Sequence, residues 1–188
     1  TKIKANSNMT VTPKANDIVE EFTVYNHYQN ADNGDEYTTE LIPDRAKVTL
    51  SNTDEKNSTT ICESYLNTQN ETFNYNDDIS YLVRDIHEIN CYYDRKTVKL
   101  TYNIDSNISS FGYIPANNNT ISIGTDNNIV EYRYGQNIIL KIKEYNTGYI
   151  FDNFICNGSG TCICANDVIK INITGGLTVT VNAKKESE

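Results

Sequence analysis

Residues 137–156, NIILKIKEYNTGYIFDNFIC, decide the fold class. Two Ile-rich runs, NIILKIKE (137–144) and TGYIFDNFIC (147–156), carry little charge and flank the turn signal Asn146-Thr147-Gly148. β-Branched and aromatic side chains of this kind fit a pleated, half-buried surface better than a helix. The same texture runs through the rest of the second half. TVKLTYNI (97–104), TISIG (120–124), NIVEYRY (128–134), DVIKINI (167–173) and LTVTVNA (177–183) all read as strands. Gly135-Gln136 supplies a turn, and Gly175-Gly176 separates the last two strands.

Composition extends this reading to the whole chain. Its 188 residues include 22 Ile, 10 Val and 21 Thr against 7 Leu, with 14 Tyr and no Trp. A mainly β protein follows, long enough to bury a core. EEFTVYNHYQ (20–29), YTTELI (37–42), AKVTLSN (46–52), TTICESYL (59–66) and ETFNYN (71–76) read as further strands, spaced as in a sandwich or barrel. One segment breaks the pattern. In NDDISYLVRDIHEIN, Ile79, Leu82, Val83, Ile86 and Ile89 fall on one helical face, and Asn76 or Asp77 can cap its start. The spacing predicts one short helix over 77–90.

Residues 1–96 carry a net charge of −8 and residues 97–188 a net of −1, of a total of −9. That shift and the change of texture near residue 96 predict two small β-rich domains. The expected division is a polar N-terminal arm (1–16), an acidic, sandwich-like β-rich domain with the helix (17–96), and a β domain over 97–185. No basic stripe exists to meet nucleic-acid phosphates or an anionic membrane. No apolar run approaches the roughly 18 residues of a membrane span. The sequence opens on Thr1 without an apolar leader, as expected if a signal peptide has been removed or the end trimmed.

The cysteines are Cys62, Cys91, Cys156, Cys162 and Cys164. With no C-x-x-C pair and two histidines, disulfides in an oxidising, extracellular setting fit better than zinc. Cys62 and Cys91 flank the expected helix and pair. Cys156, Cys162 and Cys164 share parity; a hairpin with the loop 157–161 sets Cys156 opposite Cys162 and leaves Cys164 for a neighbouring subunit. A shifted register instead pairs Cys156 with Cys164. A buried free thiol is the plainer alternative for the odd cysteine.

Sites with chemistry are few. His27 and His87 sit in no recognisable catalytic context, and Ser159 in Asn157-Gly158-Ser159-Gly160 lacks the strand-turn-helix of a nucleophile elbow. Asp32, Asn33, Asp35 and Glu36 around Gly34 form a weak calcium candidate without EF-hand spacing, and read better as a solvated turn. No metal or cofactor is therefore expected. Tyr25, Tyr28, Tyr92, Tyr93, Tyr132 and Tyr134 are candidates for a sugar-stacking platform, or for core and cross-strand positions. In the arm, alternating Ile3, Met9 and Val11 are candidate donor-strand residues that add to a neighbour's sheet edge.

Residues 97–185 also resemble the divergent B-repeat domain of internalin-type bacterial surface proteins. The resemblance lies in Tyr134-Gly135-Gln136-Asn137-Ile138-Ile139-Leu140, in Thr147-Gly148-Tyr149-Ile150-Phe151-Asp152-Asn153-Phe154, and in the closing Leu177-Thr178-Val179-Thr180-Val181-Asn182-Ala183. Phe154 stands where the family usually has Trp, and three cysteines in the following loop depart from it. The resemblance implies an exported stalk or spacer module without general catalytic residues.

These observations lead to an expected non-enzymatic, secreted or cell-surface structural or adhesive protein, a pilus-like filament subunit that partners copies of itself. A carbohydrate- or ligand-binding module, meeting a host or glycan ligand, is the alternative. A secreted hydrolase with acidic catalytic residues is a weaker one.

Overall fold

The computed structural model describes residues 18–50, 58–66, 69–115, 122–123 and 128–187. The arm at 1–16, with Ile3, Met9 and Val11, lies outside the described residues. Among the described residues the protein is mainly β, with one short helix and two sheets.

The first sheet is built on β1 (Ile18–Gln29). Along one edge β1 pairs antiparallel with β2 (Tyr37–Leu41) and β3 (Ala46–Leu50) in succession. After α1 (Ser58–Leu66) come β4 (Phe73–Val83) and β5 (Glu88–Arg95). β5 is inserted between β1 and β4, parallel to the first and antiparallel to the second. Strict alternation explains the core: Phe22, Val24, Ile89, Cys91 and Tyr93 turn inward with Val48, Cys62 and Phe73. α1 covers this inner face. The disulfide Cys62–Cys91 ties it there across a Cα separation of 5.4 Å, and Tyr93 donates to the Cys62 carbonyl at 2.8 Å.

Two sequence expectations are overturned here. The segment 77–90 is not a helix: it is the end of β4, a turn at 84–87 and the start of β5. Pairing on the central strand outweighs the helical spacing. Leu82 and Ile89 face each other across the ladder, while Ile79 and Ile86 are left exposed. Asn76 and Asp77 cap no helix: Asn76 Oδ1 accepts the Asp78 N–H at 3.1 Å, and Asp77 accepts the Thr59 and Tyr75 hydroxyls. Asp77 to Ser80 instead form a wide bulge, tied down by Ser80, which donates to the Asn76 carbonyl at 2.6 Å and accepts the Tyr92 N–H at 2.9 Å. The helix is at TTICESYL, read from its β-branched residues as a strand; covering the open inner face of the sheet decides against propensity there.

The second sheet begins one residue after β5. Its strands are β6 (Thr97–Ile104), β7 (Ile108–Pro115), β8 (Ser122–Ile123), β9 (Asn128–Arg133), β10 (Asn137–Tyr145), β11 (Tyr149–Ala165) and β12 (Val168–Lys185). β12 is the centre. Along one edge its first part pairs with β10 and its second part, in parallel, with β6; along the other it pairs with β11 throughout. β10 carries β7 and β8, and β6 carries β9.

Gly175-Gly176 and the loop expected at 157–161 therefore do not separate strands. Both strands run on through a corner, where Gly158 and Gly160 adopt φ 125° and 151°. A Cβ on Gly158 would come within 2.1 Å of the Gly176 carbonyl oxygen, so the close approach requires glycine. Cys156 and Cys162 lie on the same strand, not across a hairpin, and their disulfide closes the inside of the corner at a Cα separation of 6.6 Å. The corner gathers Ile169, Ile171 and Ile173 from one part of β12 and Leu177, Val179 and Val181 from the other into one core, with Leu100, Tyr102, Ile138 and Leu140.

Candidate binding face

The outer face of the first sheet is set by the same alternation that fills its core. Tyr25, His27 and Gln29 of β1, Tyr37, Thr39 and Leu41 of β2, Asn90, Tyr92 and Asp94 of β5, and Tyr81 of β4 all turn outward. Leu41 and Tyr81 are 56% and 47% exposed. A row of rings crosses the strands. His27 stacks on Tyr92 with centroids 4.3 Å apart, Tyr81 lies 6.3 Å from Tyr92 on a second side, and Tyr37 meets it edge-on at 5.3 Å.

Polar groups fix the row. His27 Nε2 donates to Asn90 Oδ1 at 2.9 Å, and its Nδ1 lies 2.8 Å from the Thr39 hydroxyl. A carbonyl oxygen accepts but cannot donate, so Nε2 carries the proton. Both nitrogens of His27 are thus spent on orientation. His87 is elsewhere, in the 84–87 turn at φ 53°, with Nε2 3.4 Å from Glu20. Glu20 also accepts from Arg84 at 2.8 Å, which holds its carboxyl below the usual range.

The row ends at Asp94. Tyr37 donates to Asp94 Oδ1 and Asn76 Nδ2 donates to Oδ2, each at 2.5 Å. Burial, reinforced by the Asp94 hydrogen bond, pushes the Tyr37 phenol up to about 12. Beside Asp94 opens a cleft of about 550 Å³, lined by Asn74, Asn76, Asp77, Asp78, Arg95 and Thr97 among others. Aromatic rings running into a cluster of amides, carboxylates and a guanidinium offer apolar faces to stack on, with donors and acceptors beside them. That is the chemistry of polyhydroxylated ligands.

Of the six tyrosines singled out in sequence, Tyr25 and Tyr92 belong to this face. Tyr28 and Tyr93 stack at 5.2 Å on the inner side, and Tyr132 is buried in the second core. The Tyr134 carbonyl accepts from Arg95 at 3.0 Å where the two sheets meet. His27, Tyr37, Tyr81 and Asp94 were missed as site residues. For His27 and Tyr37 the signal was the period-2 alternation of strands 20–29 and 37–42, which fixes which residues share a face once pairing is known; Tyr81 lay inside the segment read as a helix and Asp94 beyond any expected strand.

The calcium candidate is engaged otherwise. Asp32 accepts from Asn137, and Arg133 donates to the Ala31 carbonyl at 2.9 Å and the Asp32 carbonyl at 3.2 Å. Asn33 caps the loop through its own Oδ1, bonded to the Asp35 N–H. Among the described residues no group of three His, Cys, Asp or Glu is placed to hold a metal ion. Ser159 lies at the corner of β11, not in a strand-turn-helix. Cys164 is a free thiol, half-buried, whose Sγ lies 3.3 Å from the Asn166 carbonyl; burial pushes its pKa up. No helix of the described residues is long and apolar enough to cross a membrane.

No family model matches the chain, so the B-repeat resemblance of residues 97–185 finds no support there, and no curated protein matches it. Among solved structures, two crystal forms of a bacterial adhesin from Mobiluncus mulieris, containing intramolecular disulfide, isopeptide and ester bond cross-links, overlap with it. One form has 8% identity and a TM-score of 0.39, covering 82% of this chain and 69% of the adhesin chain. The other has 9% identity and a TM-score of 0.37, covering 87% and 84%. Overlaps this loose do not establish a shared fold, and function has to be read from the chain's own residues.

Proposed function

We propose that this is a non-enzymatic, exported surface protein that adheres by binding a glycan on the outer face of its first sheet. The observation that carries the reading is the row of His27, Tyr92, Tyr81 and Tyr37 running into the carboxylate and amides around Asp94. Core-facing tyrosines would need no such polar border. With residues 1–96 at −8, the preferred glycans are neutral rather than sialylated or sulphated. Two disulfides support an oxidising, extracellular location. A glycan array tests the reading. Binding by the wild type that falls at least about tenfold in Tyr81→Ala, a loss of one exposed stacking ring, is expected. No binding to any neutral glycan, or full binding by the variant, overturns it.

The repeating subunit of an extracellular filament is the second reading, favoured by the long outer edge of β11, which pairs with no strand among the described residues. Electron microscopy of concentrated protein tests it; ordered polymers support it, and their absence removes it.

A further inference from the structure

We infer that β11 pairs with β11 of a second copy of this chain, antiparallel and about a two-fold axis through Ser159. β11 has 17 residues, and one whole edge of it meets no strand among the described residues. Unpaired N–H and C=O groups along such an edge are a template for another strand. The other edges are poor templates: β2 and β3 have five residues each, β8 two and β9 six, and β4 is broken by the Asp77–Ser80 bulge. β11 also lacks the residues that protect an edge. It contains no Lys, Arg or Pro, and its one acid, Asp152, lies 3.5 Å from Lys184. Charge favours a second copy here as well. Most of the chain's −9 lies before residue 97, so two copies repel least when they meet through the near-neutral second half.

The corner selects the register. A strand bent at Gly158–Gly160 stays paired along its length only with a strand bent at the same level. Within the chain β12 satisfies this by bending opposite the same residues. A second β11 does so when Ser159 faces Ser159, which sets Ile155 of each copy opposite Ile163 of the other. Both isoleucines are on the outer face, 47% and 66% exposed, and this register covers them pairwise. Cys164 then faces Phe154 of the second copy, so the pairing needs no thiol. A two-fold contact closes on itself and gives a dimer, and because it occupies the β11 edge on which the filament reading rests, it counts against that reading. It stands apart from the glycan reading, because the first sheet takes no part.

Sedimentation velocity across concentrations tests the pairing. The wild type and Cys164→Ser are expected to dimerise, whereas Ile155→Lys alone and Ile163→Glu alone weaken the dimer about tenfold by setting a charge opposite isoleucine in both symmetry-related cross-strand pairs. The double variant Ile155→Lys/Ile163→Glu is expected to dimerise again, since each new ammonium faces a new carboxylate. A wild type that stays monomeric at high concentration, dimers unaffected by the single substitutions, a dimer lost in Cys164→Ser, or a double variant no better than its parents overturns the inference. Far-UV circular dichroism of every variant is expected to match the wild type.

Discussion

The Asp32 carboxylate grips Asn137, 105 residues along the chain, with both oxygens: Oδ1 accepts the backbone N–H at 2.8 Å and Oδ2 the side-chain amide at 2.9 Å. Arg133 and Arg95 reinforce this contact between the two sheets with bonds to the Ala31, Asp32, Gln29 and Tyr134 carbonyls. Arg133→Ala removes two charge-assisted bonds at a partly solvated site and is expected to cost about 1–2 kcal/mol. Urea unfolding followed by two probes, one in each sheet, checks it. Loss of coincidence between the two transitions is expected in the variant.

The Cys62–Cys91 disulfide closes a loop over a sequence separation of 29 and pins α1 to the sheet. Replacing both cysteines by alanine is expected to lower stability by about 3–4 kcal/mol, from the chain entropy restored to the unfolded state. The urea midpoint of the double variant measures this. An unchanged midpoint would show that the helix holds its place without the bond.

Alkaline pH acts through the tyrosines. Burial raises the Tyr93, Tyr132 and Tyr145 phenols and, with Asp94, lifts Tyr37 to about 12. An unfolded tyrosine titrates near 10. The folded state therefore holds these protons more tightly, and the stabilisation present below about 10 is lost as the pH rises through the folded values. Tyrosinate absorbance is expected to develop in two steps, with the later one diminished in Tyr37→Phe. A single step near 10 for all 14 tyrosines of the folded protein would contradict it.

The Tyr132 hydroxyl is buried in the second core with no hydrogen-bond partner among the described residues. An unmade bond of this kind costs more than the missing oxygen would, so Tyr132→Phe is expected to raise stability by about 1 kcal/mol. Thermal unfolding decides the sign.

Legibility from sequence followed the range of the interaction. Strand-forming stretches were readable because β-branched residues and alternation are local, and 137–144, 97–104 and 20–29 are strands as expected. Pairing was not, because it is settled far along the chain: β5 leaves its neighbour's helical spacing unused by inserting beside β1, and the two ends of β12 belong to one strand. The aromatic face suffered the same way. Tyr25 and Tyr92 could be named, but Tyr37 and Tyr81 join them through register alone. The helix at 58–66 was hidden because its residues favour strands, and the uncovered side of a sheet is not written in any one segment.

The placing of β12 has a consequence for how the chain comes to fold. Strands β6 to β11 precede it in sequence, yet among the described residues β6, β10 and β11 are joined only through it. During synthesis the first sheet can assemble from strands already made, while the second waits for residues 168–185 and then closes over long sequence separations, a slow step. Until that moment β6, β10 and β11 lack the strand they pair with. The acidic, early-forming half, carrying −8, is then what keeps the nascent chains from joining one another.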